Sequence, residues 1–103
     1  MKEQFDRTEL VIGEKGIGRL SSASVIILGV GGVGSYTAEG LARAGIGKIT
    51  LVDRDTVDVT NINRQLPALH STVGRLKAEV MAERIRDINP QCDVTAVKCF
   101  FLP

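Results

Sequence analysis

Net charge is what this sequence most plainly lacks. Its 13 basic and 12 acidic side chains leave +1 at pH 7. No bulk electrostatic footprint therefore marks it as a binder of nucleic acid or of membranes, and a structured RNA would have to be held by a local patch. Long apolar runs are missing too: no stretch approaches the roughly eighteen residues needed to span a bilayer. The N-terminus, Met1-Lys2-Glu3-Gln4-Phe5-Asp6-Arg7, has no apolar signal core, so the expected compartment is the cytoplasm, with no membrane partner. Cysteine is scarce. Cys92 and Cys99 form no C-x-x-C pair, which removes a zinc site or a disulfide framework. The expectation is two reduced, packed thiols. Repeats and low-complexity segments are absent.

What is present is a glycine cluster placed directly after an apolar run: Val25-Ile26-Ile27-Leu28-Gly29-Val30-Gly31-Gly32-Val33-Gly34. Each glycine has an expected task. Gly29 lets a strand leave through a tight turn, Gly31 and Gly32 let backbone N–H groups approach phosphate oxygens, and Gly34 lets the following helix pack on the strand. The start of that helix adds unpaired N–H groups and a positive partial charge, both favourable to an anion. A glycine string alone is a weak signal. Its place between an apolar strand and a helical period predicts a nucleotide-binding turn.

In chain order, residues 7–20 read as a helical lead-in broken at Gly13, and 21–24 as a loop. Residues 25–28 form the first strand. A helix is expected over 33–44, with Val33, Tyr36, Thr37, Gly40, Leu41 and Ala44 on its apolar face and Gly45 as its stop. Residues 49–52 form the second strand, ending at Asp53. A long polar loop, 54–71, follows, and connections of that length tend to be functional. A second helix is expected over 74–88, carrying Leu76, Val80, Met81, Ile85 and Ile88 and ending at Asn89-Pro90. Residues 94–97 lie in the third strand. The order βαβαβ predicts a Rossmann-like, three-layer αβα fold, with the parallel sheet in spatial order three-two-one.

A doubly wound sheet of this kind has about six strands in two halves, and 103 residues hold three. Residues 1–24 are accordingly read as a helical lead-in. Residues 25–103 are read as the N-terminal half of a nucleotide-binding domain, stopping at Phe100-Phe101-Leu102-Pro103 with no closing helix. Both helices would lie on one face of the sheet. The other face expects cover from the lead-in, from further chain or from a partner subunit.

Several residues carry candidate chemistry. Asp53, about twenty residues past the glycines, fits a ribose-binding carboxylate; the competing reading is a loop-capping Asp. Asp55 and Asp58 read as turn formers. Up to this point an NAD-dependent oxidoreductase fits as well. Asn61-Ile62-Asn63-Arg64-Gln65, Lys77 and Arg7 then supply amides and cations suited to a triphosphate. Its transfer chemistry needs charge neutralised at the α-phosphate and the leaving pyrophosphate. Taken singly, Arg64, Lys77 and Arg7 each read as a solvated surface cation. His70 reads as solvated or as a brace for its loop.

These residues carry a resemblance. Leu28 to Ser35, Ala42-Arg43-Ala44-Gly45-Ile46-Gly47, Leu51-Val52-Asp53-Arg54-Asp55, Thr60 to Gln65 and Thr72-Val73-Gly74-Arg75-Leu76-Lys77 resemble the ThiF/MoeB/HesA superfamily. These ubiquitin-activating-enzyme-like proteins adenylate carboxylates with ATP. Phe5-Asp6-Arg7-Thr8-Glu9-Leu10, the double-Asn loop, Ala68 to Gly74 and Arg84 to Cys92 are similar to its tRNA threonylcarbamoyladenosine dehydratase branch. Pro67 stands where that pattern has a histidine, so the resemblance does not carry over the local loop shape, while the family stands.

The resemblance implies an ATP site made of Gly29, Gly31, Gly32, Gly34, Asp53, Asn61, Arg64 and Lys77. Gly32 would lie near the phosphates, Asp53 on the ribose, Asn61 and Arg64 on the triphosphate, and Lys77 on its phosphates. Arg7, with Arg64 and Lys77, would be catalytic, Arg7 reaching as an arginine finger into the neighbouring site of a homodimer. ATP and Mg2+ are implied, and the magnesium-binding aspartate and crossover cysteine of the pattern are not matched here. No metal ligand is assigned in this chain, and the 103 residues alone are expected to be inactive. The implied function is ATP-dependent carboxylate activation on tRNA carrying threonylcarbamoyladenosine, with closure to the cyclic modification. The alternative within adenylation is a MoeB/ThiF-type adenylyltransferase acting on a ubiquitin-like sulfur carrier, which would bring a sulfur-transfer partner.

Overall fold

The structure, a computed structural model, describes residues 3–99. Three helices and three strands alternate after a short 3-10 turn: α1 (Asp6–Ser22), β1 (Ser24–Leu28), α2 (Gly32–Ala44), β2 (Lys48–Val52), α3 (Lys77–Ile88) and β3 (Asp93–Val97). The strands form one parallel sheet in the order β1-β2-β3. Val25 lies opposite Ile49, Ile49 opposite Val94, Ile27 opposite Leu51 and Leu51 opposite Ala96. This is the α/β, Rossmann-like βαβαβ order. The tail from Phe100 to Pro103, where no closing helix was expected, lies outside the described residues.

Side-chain alternation along the strands sends one set of residues under the helices. Ile27, Ile49, Leu51 and Val94 meet Ala38 and Ala42 of α2 and Met81, Ala82 and Ile85 of α3 in a single core. The helices also touch each other. Arg84 on α3 donates to Glu39 on α2, and Glu39 accepts from Arg43 at 3.2 Å as well. The opposite set is open: Ile26 is 66% and Leu28 60% exposed. The lead-in helix does not cover that face, since α1 buries no residue.

Four expectations about the elements are corrected. The loop expected over 21–24 shrinks to Ala23, because α1 runs on to Ser22 and β1 starts at Ser24. The apolar face assigned to the first long helix holds at Leu41, which packs against the core, and is displaced elsewhere. Val33 and Tyr36 are exposed, and Ser35, Ala38 and Ala42 are buried, because a helix lying close to a sheet seats small residues on the contact. The second long helix begins at Lys77 rather than at 74. Gly74 has φ 90°, and Leu76 is extended and pairs with Thr56 in an isolated bridge. Cys99 is exposed rather than packed, whereas Cys92 is buried as expected. Within α1, the break at Gly13 is present, with φ 78° and ψ 172°. Gly45 closes α2 in the left-handed region at φ 100°.

Candidate functional site

The turn after β1 is built by close approach. A Cβ on Gly34 would lie 1.8 Å from the carbonyl oxygen of Gly29, so only glycine lets α2 begin this near the strand end. Gly29 leaves β1 at φ 91°, and its N–H donates to the Val52 carbonyl at 2.8 Å. The exits of β1 and β2 are thereby held side by side. At the C-terminal ends of the strands, where ligands bind in open α/β sheets, a cavity of about 410 Å³ opens. Gly29 and Gly31 line it on one side, Asp53, Arg54 and Asp55 at the end of β2, and Gln65, Lys77 and Cys99 around the rest.

Asp53 is buried, and each of its oxygens accepts one backbone N–H. Its Oδ2 accepts from the Val30 N–H at 2.8 Å and its Oδ1 from the Asp55 N–H at 2.7 Å. Its own N–H donates to the Val97 carbonyl at 3.1 Å. The loop-capping role weighed for this carboxylate is therefore present, at a residue that also lines the cavity. Asp55, expected as a turn former, gives its backbone N–H to Asp53 and lines the cavity.

Lys77 is the unusual group. It is 7% exposed and lines the cavity, yet among the described residues its ammonium makes neither an ion pair nor a hydrogen bond. The charge that senses it is Asp58, whose carboxyl is held below the usual range first by the Thr60 hydroxyl, then by the Thr60 N–H, and last by Lys77. Lys77 is also the first residue of α3, where the helix dipole disfavours a cation. A buried, unpaired charge is costly to keep. Here it faces a cavity of a size suited to a small molecule, and an anion in that cavity would remove the cost.

Gln65 is a cavity residue that the sequence does not single out. Its side chain packs against the glycine turn, so that a Cβ on Gly31 would meet Gln65 Nε2 at 3.4 Å. Its Oε1 is buried without a hydrogen-bond partner among the described residues. Arg54 also lines the cavity unforeseen; only its position next to Asp53 hinted at it.

The structure thus brings Gly29, Gly31, Asp53 and Lys77 together. It does not bring the other candidates to the cavity lining. Asn61 is buried, and its Oδ1 accepts from the Asp58 N–H at 2.9 Å, capping a short 3-10 turn. Arg64 is exposed and donates through Nη1 to the Thr60 carbonyl at 3.0 Å and to Asn63 Oδ1 at 2.9 Å. Gly32 and Gly34 sit in the first turn of α2, and Arg7 is exposed in the first turn of α1. His70 is exposed; the brace of its loop is Thr72, whose Oγ1 accepts from the Leu69 N–H at 2.9 Å and donates to the Pro67 carbonyl at 2.6 Å.

No metal-binding group of three or more His, Cys, Asp or Glu side chains occurs among the described residues. Among them, no helix is long and apolar enough to cross a membrane.

This geometry has close counterparts. The tRNA threonylcarbamoyladenosine dehydratase of Bacillus subtilis is 57% identical over 101 residues, which are 98% of this chain and 40% of that protein. The Escherichia coli protein of the same name is 54% identical, over 99% of this chain and 38% of its own length. The crystal structure of the E. coli dehydratase in complex with ATP superposes with a TM-score of 0.96, covering 99% of this chain and 42% of that one. The chain therefore spans about two fifths of the length of the relatives it matches. Residues 5–101 match the ThiF family, and the chain belongs to that family.

Proposed function

We propose that the cavity holds the phosphates and ribose of ATP, and that the complete protein uses it to activate the carboxylate of threonylcarbamoyladenosine in tRNA. The observation that carries this reading is Lys77, a buried cation that lines the cavity with the glycine turn and forms no ion pair among the described residues. The names of the relatives, and the ATP held by the E. coli dehydratase structure, supply the substrate.

In this reading a carboxylate oxygen attacks the α-phosphorus, the bond from that phosphorus to the bridging oxygen breaks, and pyrophosphate leaves. Lys77 neutralises charge gathering on the phosphates, and N–H groups of the glycine turn near Gly31 and Gly32 donate to them. The Asp53 carboxylate accepts from the ribose hydroxyls beside the two N–H groups it already holds. Arg64 and Asn61, on the loop that also carries Gln65 of the cavity wall, serve the triphosphate. Arg7 serves the neighbouring site of a homodimer in the cytoplasm. The acyl adenylate then loses AMP to an internal nitrogen or oxygen of the same modification, closing a ring with net loss of water. Magnesium would supply further charge neutralisation on the phosphates. Asp53 and Asp55 are the carboxylates of this cavity, and they do not by themselves make a metal cage.

The test is ATP–pyrophosphate exchange by the complete protein, with and without tRNA bearing threonylcarbamoyladenosine. Exchange or ATP consumption that depends on the modified tRNA is expected; its absence overturns the reading. Exchange driven instead by a small ubiquitin-like sulfur carrier would assign the MoeB/ThiF-type activity. A melting shift with NADH and none with ATP would assign an oxidoreductase.

A further inference from the structure

Cys99 occupies an unexpected place for a thiol. It lies two residues beyond β3, whose last residue, Val97, accepts the Asp53 N–H at 3.1 Å. That bond draws the end of β3 toward Asp53, and Cys99 becomes part of the cavity wall. Cys99 is exposed, whereas Cys92 is buried in the core. Cys92 is further protected because burial, and then the charge of Asp93, push its thiol up. An independent feature points to a ligand in the same cavity: Lys77, 7% exposed, lines it with no ion pair or side-chain hydrogen bond among the described residues.

We propose that Cys99 is a modification site within the nucleotide cavity, so that a thiol-directed electrophile and a nucleotide exclude one another. This rests on the reading of the cavity as a nucleotide site. The oxidising reagent class assigned to it is a peroxide. The Cys99 sulfur attacks one peroxide oxygen, an S–O bond forms and the O–O bond breaks. The departing hydroxide takes the thiol proton and leaves as water. Sulfur is oxidised to a sulfenic acid and the peroxide oxygen is reduced. The added oxygen sits in a cavity of about 410 Å³, where a triphosphate has little room to yield. An alkyl group on the same sulfur acts likewise. With a carboxymethyl group, the new anion also repels the phosphates and offers Lys77 a counter-charge that competes with them.

The experiment uses the complete protein, with iodoacetamide, iodoacetate and hydrogen peroxide as probes and the modified residue read by mass spectrometry. ATP at about ten times its Kd is expected to slow reaction at Cys99 about tenfold, with no change at Cys92. Protein modified at Cys99 is expected to bind ATP at least about tenfold more weakly, iodoacetate having the larger effect. The C99S variant, given the same treatment, should keep the affinity it had before. If unmodified protein binds ATP, and protein fully modified at Cys99 binds it equally well, the proposal fails and the nucleotide site stands. If unmodified protein binds no ATP, both fail.

Discussion

A buried ammonium with no ion pair or hydrogen bond destabilises the chain that carries it, and Lys77, which has neither among the described residues, lines the cavity proposed for the nucleotide. Lys77→Met preserves the aliphatic stem and removes the charge. Without ligand, the variant is expected to be as stable as the parent or up to about 1 kcal/mol more so. It should also lose the ATP-induced rise in Tm, measured by scanning calorimetry with and without ATP. A Lys77 whose only task was packing would leave that rise intact. Gly34 has the opposite character. A Cβ there would lie 1.8 Å from a backbone oxygen that cannot move without dragging the turn. Gly34→Ala is expected to cost about 3 kcal/mol or more, read as a lower midpoint in urea. Gly34 was legible in the sequence because its task is local: a strand end and a helix start lie within a few residues of it. Gln65 was not, because its surroundings are made by a distant loop folding back onto Gly31. Nothing within its own five-residue motif announces that contact.

Between elements, the clasp of α2 to α3 rests on Glu39, which takes Arg84 from the facing helix and Arg43 from its own. The hydrogen bond from Arg84, more than any other influence, holds the Glu39 carboxyl below its ordinary value. A carboxyl depressed in the folded state stabilises the fold above its unfolded pKa, and that contribution fades as the pH falls through the folded value. The guanidinium of Arg84 remains partly in water, so screening limits the effect. Glu39→Gln is expected to cost less than about 1 kcal/mol at pH 7. It should flatten the fall of Tm on acidification below the carboxylate range, with parent and variant converging at the acid end. At this scale the order of strands and helices could be read from periodicity and from Gly13, Gly45 and Pro90. Two features could not. The buried stripe of α2 consists of Ser35, Ala38 and Ala42, which a hydrophobicity period ranks below Val33 and Tyr36. The start of α3 is displaced because Leu76 is claimed by a bridge to Thr56, a partner twenty residues back.

For the molecule as a whole, the sheet is covered by helices on one face and bears Ile26 and Leu28 in the open on the other. β1 is also an edge strand. An apolar face beside an unpaired edge promotes association. The 103-residue chain expressed alone is expected to bind a hydrophobic dye and to self-associate. Ile26→Thr with Leu28→Thr should lower both, with a change in stability within about 0.5 kcal/mol per site, measured by light scattering and dye fluorescence. Scattering unchanged by the pair of substitutions would place the sticky surface elsewhere.

The two oxygens of Asp53 grip the backbones that leave β1 and β2. That one side chain acts as a rivet between the two lips of the cavity. The lips cannot drift apart without breaking charge-assisted hydrogen bonds, so their spacing is settled before any ligand arrives. A guest must match a mouth that is already shaped, and little of its binding energy is consumed in shaping it.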